Sequence, residues 1–346
     1  MLVAPFVYFW AGGGLKILLV SMRHDYGDAS RGDSYDYCNV YQPLLDLGHK
    51  VTFFDYMAEL KELGRNEMNR KLLATVEQIR PRLSWFSLYT DQFDPDIIEK
   101  LRAWTTTLCF FYDDTWRVDY TRFWMRHFDF FTTPDVNGEK KYAALNLPNA
   151  IHFPFGCNER LYCKMDVPKK YDVSFVGGWH PYREWIIKRL CRAGILVEVA
   201  GHGWRRGTLS HHDMVTLFNE SRINLNLSNS ASWDVRYLTS SFRAMANRIR
   251  SSKTIEQLKA RHFEINSCGT FQLSFYVEGL EQYYEIGREI AIYTNPEDLL
   301  IQIRRYLKND EQRELIARAG HQRTLAEHTF AHRLQRAFLR MGIIDG

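Results

Sequence analysis

The sequence lacks the features that would force a special architecture. It has 346 residues with only 10 prolines, and no apolar run reaches the ~20 residues needed to span a bilayer, which excludes a polytopic membrane protein and a collagen-like chain. Charge of one sign is also missing: 45 Lys+Arg against 41 Asp+Glu leave a formal net charge of +4. That balance argues against a disordered polyelectrolyte and against a strongly basic polyanion-binding face. Heptads, internal repeats of 20–50 residues and low-complexity stretches are absent, which excludes a coiled coil and a solenoid. The cysteines, at 38, 109, 157, 163, 191 and 268, form no CxxC pair, whereas a zinc site or disulfide framework leaves patterned pairs. Apolar neighbours, as in LCFF around Cys109, predict buried, reduced thiols and a cytoplasmic setting.

Aromatic residues are abundant instead, at 14% of the chain. Such a surplus fills sheet cores or lines a ligand cleft, and composition alone does not choose.

The first fourteen residues, MLVAPFVYFWAGGG, have neither the positive n-region nor the cleavage site of a signal peptide. They read as an apolar tail or upstream start, or as a shallow interfacial anchor through Phe6, Tyr8, Phe9 and Trp10, so peripheral membrane contact is left open. From Leu15 the pattern becomes regular. LKILLVS is a continuous apolar run of the kind buried on both faces of a parallel sheet. A polar loop follows, then the helix-spaced YDYCNVYQPLLDLGHK, then the strand VTFFDY. Helices near 66–79, 94–104 and 138–145 alternate with the strands LSWFSLYTD, LCFFYDD, FDFFTTPD and AIHFPF. The polar stretch 156–172 reads as a linker. After it the alternation restarts with YDVSFVGG, ILVEVAGHGW, INLNLS, TFQLS and EIAIY. The expectation is an α/β protein of two Rossmann-like domains. Their predicted bounds are a tail at 1–14, a domain at 15–155, the linker at 156–172, a second domain at 173–325, and a C-terminal helix at 326–346 that packs back on the first domain.

Ligands of open α/β sheets sit at the carboxyl ends of strands. In the second domain those positions are Gly177-Gly178, Gly201-His202-Gly203, Ser228-Asn229, and the segment from Glu264 to Gly269 and Thr270. The glycines either make a tight turn or admit a phosphate to backbone N–H groups. The run Glu256-Gln-Leu-Lys259-Ala-Arg261-His262-Phe263-Glu264 places two carboxylates eight residues apart with two cations between them, and reads as helical through Gly269. Glu264 lies between Phe263 and Ile265 ahead of a core strand, so it should be partly buried and hold a specific hydroxyl or N–H partner. In the first domain the loop from His24 through Asp28 and the strand end Tyr89-Thr90-Asp91 face the corresponding edge. Asp113-Asp114 reads either as a strand-end cap or as an acceptor-side pair. His211-His212-Asp213 reads as a helix start rather than a metal site. Trp116, Trp179, Trp204 and Trp233 lie beside strand ends and are expected to line a cleft.

The block YDVSFVGG…INLNLS…KARHFEINSCGTFQLS…TNPEDLLIQIRRYLKND, about 172–340, resembles the C-terminal half of GT-B glycosyltransferases of the group 1 superfamily, nearest the CgeB-like, spore-maturation branch. FEINSCG is similar to the second half of that superfamily's E-x7-E motif, and Glu256 falls at the first position. The resemblance implies two Rossmann-like domains facing each other across a cleft. It implies transfer of a sugar from a nucleotide-sugar, expected as a UDP-sugar rather than a GDP- or dTDP-sugar, with retention and without metal or other cofactor. Glu264 would hold the ribose hydroxyls, Glu256 would face the sugar, and Lys259 and Arg261 would face the diphosphate. Gly177, Gly178, His202, Gly269 and Thr270 complete the donor side. His24, Asp113 and Asp114 fall on the acceptor side, a carbohydrate, glycolipid or small molecule. If the reaction inverts, Asp28, Asp91 or His24 could deprotonate the acceptor. The sequence departs from the superfamily where a glycine-rich, proline-containing stretch is replaced by QLKARHF. Two alternatives stand beside this expectation: glycosyl transfer to modified bases of DNA, suggested by the arginines of 236–261, and a non-catalytic nucleotide-sugar-binding protein.

Overall fold

The structure, a computed structural model, describes residues 14–114, 117–230, 232–251 and 256–344. The apolar tail and Trp116 lie outside the described residues. Two compact units form, one from Met1–Pro154 with Phe330–Gly346 and one from Phe155–Thr329.

The first unit holds six strands: β1 Lys16–Ser21, β2 Lys50–Asp55, β3 Leu83–Phe86, β4 Thr106–Cys109, β5 Phe130–Thr133 and β6 Ala150–His152. They pair in parallel in the order β2-β1-β3-β4-β5-β6. Strand β1 shows why the run KILLVS is apolar throughout. Leu18 and Val20 enter one hydrophobic layer with Phe86, Phe93 and Met125. Ile17 and Leu19 enter the opposite layer with Trp85, Phe110 and Phe153. A sheet covered on both faces needs this, because each alternate side chain leaves water. Helix Phe330–Arg340 supplies Phe330, Leu334 and Phe338 to that second layer, so the end of the chain completes the first unit's core.

The second unit holds β7 Tyr171–Val176, β8 Val197–Ala200, β9 Ser221–Asn226, β10 Gln272–Phe275 and β11 Ala291–Tyr293, all parallel, in the order β11-β10-β9-β7-β8. Local chemistry sets several helix starts. Asn295 accepts the N–H groups of Glu297 and Asp298 at 3.1 and 2.9 Å, with Pro296 opening the helix. Residues 156–170 are packed against the second unit: Tyr162 is buried, and the Ser267 hydroxyl donates to its carbonyl at 2.6 Å.

The chain reverses direction across each sheet at one place. In the first unit β1 is flanked by β2 and β3, and in the second β7 is flanked by β8 and β9. Loops leaving β1 and β3, or β7 and β9, therefore diverge to opposite faces and open a crevice at their carboxyl ends.

Two local expectations are corrected. The helix read through residues 256–269 spans only Arg261–Ser267, so Glu256 and Glu264 do not share it. Leu258 is buried, and the Lys259 N–H donates to His262 Nδ1 at 3.1 Å, which ties the preceding segment down instead of extending the helix backwards. Among the cysteines, 38, 109, 157 and 268 are buried, but Cys163 and Cys191 are exposed. Cys191 sits on the outer side of the amphipathic helix Pro181–Arg192, where sequence neighbours do not report the face.

Candidate active site

At the crevice of the second sheet, β7 ends at Gly177 and Gly178 and the chain turns into helix Pro181–Arg192. The two glycines differ. A β-carbon on Gly177 would stand 2.8 Å from the Phe175 ring, and one on Gly201 would stand 2.2 Å from the Gly177 oxygen. These two positions serve the close approach of the loops after β7 and β8. Gly178 has open space in front of it, with no described residue within 4 Å of where a β-carbon would stand. Nearby, the Trp204 Nε1 donates to the Gly177 carbonyl at 2.8 Å, and the Trp179 N–H donates to the His202 carbonyl at 2.8 Å. His202 contributes its backbone, and its side chain is exposed.

Arg183, in the first turn of that helix, occupies the crevice. Its Nη1 donates to the Gly178 carbonyl at 2.8 Å and its Nε to the Asn229 carbonyl after β9 at 3.3 Å. One guanidinium thus bridges the two diverging loops, above the Phe175 ring at 5.6 Å. Burial pulls its pKa down to about 10, against the Glu256 carboxylate, which raises it, so it remains a cation at neutral pH. Glu256 Oε1 accepts the Ser230 N–H at 3.2 Å. The Ser228 hydroxyl and the Tyr293 hydroxyl at the end of β11 are buried without a partner among the described residues. Buried hydroxyls left this way are uncommon, and a polar ligand is one of the things that satisfies them. The helix start after β7 adds N–H groups and the positive end of its dipole.

Glu264 lies in helix Arg261–Ser267 and is 3% exposed. Its carboxylate is held by Arg261, whose Nη1 donates to Oε2 at 2.6 Å. Arg261 is itself wedged against the Phe218 ring and the Met214 sulfur. Burial pushes the neighbouring His262 down to about 4, so its ring is neutral. Lys259 is half-buried, Gly269 adopts φ +65°, and the Thr270 hydroxyl donates to the Ile265 carbonyl at 3.1 Å.

In the first unit, the loop after β1 carries His24 beside Asp33, with 3.9 Å between Nδ1 and the carboxylate. Asp28 is exposed and caps the turn Ala29–Arg31, accepting the Ser30 N–H at 3.0 Å and its hydroxyl at 2.7 Å, and these bonds lower its pKa. Asp91 is exposed after β3, where its carbonyl receives Arg65 Nε at 2.8 Å. Asp113 is half-buried, whereas Asp114 is buried and accepts the Tyr142 hydroxyl at 2.7 Å, with burial raising its pKa. His211-His212-Asp213 opens the helix His211–Glu220, capped by Ser210. Among the described residues, no three His, Cys, Asp or Glu side chains gather as a potential metal-binding group.

Sequence reasoning missed three features. Arg183 was legible as an arginine one turn into the helix after a strand-Gly-Gly run, but amphipathic helices carry many arginines. Tyr293 gave no signal beyond ending a strand. Asp36 is buried at the carboxyl edge of β1, where it accepts the Ser21 hydroxyl at 2.5 Å and the Tyr112 hydroxyl, and burial raises its pKa. The two segments that were read at the first unit's edge supply its exposed rings, Tyr26 and Tyr89, edge to face at 5.4 Å. Of the tryptophans expected to line a cleft, Trp204 packs against the second core, Trp179 lies under Arg243 at 4.3 Å, and Trp233 is exposed beneath Arg248 at 4.0 Å.

This arrangement matches known structures. The sucrose-phosphate synthase of Thermosynechococcus elongatus superposes with a TM-score of 0.64 at 13% identity, over 95% of this chain and 99% of that one. Anabaena HepE in complex with UDP and glucose gives 0.61 at 11% identity, over 95% and 100%. AviGT4, a glycosyltransferase involved in avilamycin A biosynthesis, gives 0.57 at 12%, over 95% and 98%. The fold is GT-B. Within this GT-B chain, residues 183–338 match the family described as glycosyl transferase-like, a match that opens at Arg183 itself. No curated protein matches the GT-B chain by sequence.

Proposed function

We propose that the protein is a glycosyltransferase that moves a sugar from a nucleotide-sugar, a UDP-sugar first among them, to an acceptor hydroxyl. The observation that carries this reading is the half-buried Arg183 cation bridging Gly178 and Asn229 at the second sheet's crevice, beside two buried hydroxyls that have no partner among the described residues. A nucleotide-sugar departs as a diphosphate, and a preorganised cation with helix-end N–H groups stabilises the charge that develops on the leaving oxygen. Gly178 leaves room for a phosphate to approach the backbone, with Lys259 as a second cation. Glu264, held by Arg261, would accept two ribose hydroxyls, and Glu256 would meet the sugar. Binding of UDP and glucose by Anabaena HepE and of UDP and GlcNAc by the pneumococcal O-GlcNAc transferase GtfA, the latter a TM-score of 0.50 at 11% identity, supports the donor class.

In the retaining form of the reaction the departing phosphate oxygen takes the acceptor proton, so no protein base is needed. In the inverting form Asp28 or Asp91, both exposed on the first unit, would take it. No step in either form requires a metal, because Arg183 and Lys259 supply the positive charge.

The test is a thermal-shift panel of UDP-, GDP- and dTDP-sugars on the intact chain and on Arg183→Met. A UDP-sugar should raise the melting midpoint of the intact chain and do so much less in the variant. Equal behaviour of the two proteins, or no shift with any sugar nucleotide, rejects the reading. Donor binding without hydrolysis or transfer to any acceptor extract would favour the non-catalytic alternative.

A further inference from the structure

Helix Phe242–Arg250, FRAMANRIR, has the opposite of the usual arrangement for its setting. Phe242 is 82% exposed and Ile249 74%, with Met245 exposed between them. At about 100° per residue these three fall within an arc of roughly 60°. Arg243 and Arg250 flank the stripe on one side and Arg248 on the other. The inward side is Ala244, buried, and Asn247, whose Nδ2 donates to the Ser230 carbonyl at 3.3 Å and the Tyr237 hydroxyl at 3.1 Å. The same surface continues through Trp233 and Val235, each 69% exposed. From Trp233 to Ser251 the chain carries four arginines (236, 243, 248 and 250) and one acid (Asp234); Glu297 also pairs with Arg236, which leaves a local charge of +2, on Arg243, Arg248 and Arg250 chiefly.

We propose that this helix, with Trp233 and Val235, docks the protein on an anionic lipid surface. Side chains of this size have no reason to stand in water as a contiguous stripe, and arginines on both flanks let the stripe enter the acyl boundary while the guanidinium groups reach lipid phosphates. Nucleic acid fits less well. A phosphate backbone gives Phe242, Val235 and Ile249 nothing to bury against, and Arg236 is already engaged by Asp234 and Glu297. The helix is tied to the crevice by Asn247 on Ser230 and by Arg243 over Trp179. A docked protein would therefore present its donor crevice close to the membrane plane, which suits an acceptor hydroxyl carried on a lipid. The docking surface does not depend on the donor reading.

The experiment is co-sedimentation of the full chain with vesicles of phosphatidylcholine alone and of phosphatidylcholine with about one third phosphatidylglycerol. The protein should bind the anionic vesicles, more weakly as salt rises, and not the neutral ones. Phe242→Glu with Ile249→Glu should weaken binding about tenfold or more, and Arg250→Glu should reduce the preference for anionic lipid. Neither change should alter the melting midpoint, since the positions are exposed, nor the shift given by UDP-glucose. No vesicle binding, or unchanged binding by the double variant, overturns the proposal. So does self-association, or binding to duplex DNA without vesicle binding, that the double variant abolishes. Vesicle binding without any UDP-sugar response would leave this surface standing and reject the donor reading alone.

Discussion

Gly201 faces the carbonyl of Gly177 so closely that a β-carbon on residue 201 would stand 2.2 Å from that oxygen. Gly201 also holds φ +131°, which a substituted residue adopts only under strain. Gly201→Ala is therefore expected to destabilise the second unit by about 1–3 kcal/mol, seen in urea unfolding. Gly178→Ala meets no neighbour and should stay within about 0.5 kcal/mol of the parent, while losing UDP-sugar affinity. A stable Gly178→Ala with full affinity would remove Gly178 from the donor site.

Arg183→Met should weaken UDP-sugar binding about tenfold to a hundredfold, the value of one charge-assisted contact. Arg183→Lys should recover only part, because an ammonium cannot reach both the Gly178 and Asn229 carbonyls and still face a phosphate. Isothermal calorimetry on the three proteins measures this.

The Arg261–Glu264 pair couples stability to donor binding. Arg261→Met leaves a carboxylate 3% exposed without its partner and should cost about 1–3 kcal/mol. Glu264→Gln should abolish most donor affinity at a smaller stability cost. The double variant should be more stable than the sum of the two losses, and a urea series on all four proteins gives the coupling.

Acid should weaken the fold through its histidines. Burial holds His262 and His49 at about 4, and His332 at about 4 with help from Arg333 and Arg336. Each is depressed below the unfolded value, so its contribution is full above about pH 6.5 and is lost as pH falls towards 4, at up to ~1.4 kcal/mol per pH unit for the fully buried His262 and less for the partly solvated His49 and His332. Asp36 and Asp114, raised by burial, act with the opposite sign. Comparing His262→Asn with the parent isolates one group: the variant's melting midpoint should fall less steeply between about pH 6.5 and pH 4.

Removal of divalent ions should leave transfer unchanged. A sugar-transfer assay with and without chelator checks it, and a loss restored by added magnesium or manganese would contradict the proposed role of Arg183 and Lys259.

Much of the architecture was legible because parallel strands buried on both faces write long apolar runs, as in KILLVS and INLNLS. The carboxyl-end loops followed from where each apolar run stops, so Gly178 could be singled out, and Glu264 from its place between Phe263 and Ile265 ahead of a core strand. The failures share a cause. Periodicity around residues 256–269 could not report that Leu258 buries and Lys259 turns back on His262, so the helix was read too long. Arg183 and Tyr293 matter only because strands distant in sequence bring their loops together. Trp204 gave a polar-looking neighbourhood but packs inward, since burial is a property of the face and not of the flanking letters.

Helix Phe330–Arg340 has a consequence for how the molecule is made. The second unit is contiguous from Phe155 to Thr329, so all of it is synthesised before the last piece of the first sheet's cover. Until Phe330, Leu334 and Phe338 arrive, one face of the first sheet is covered only in part, by Val40, Leu44 and Leu47. The portion translated first is therefore the last to close, and a nascent chain stalled near residue 329 should be held by chaperones at its amino-terminal half.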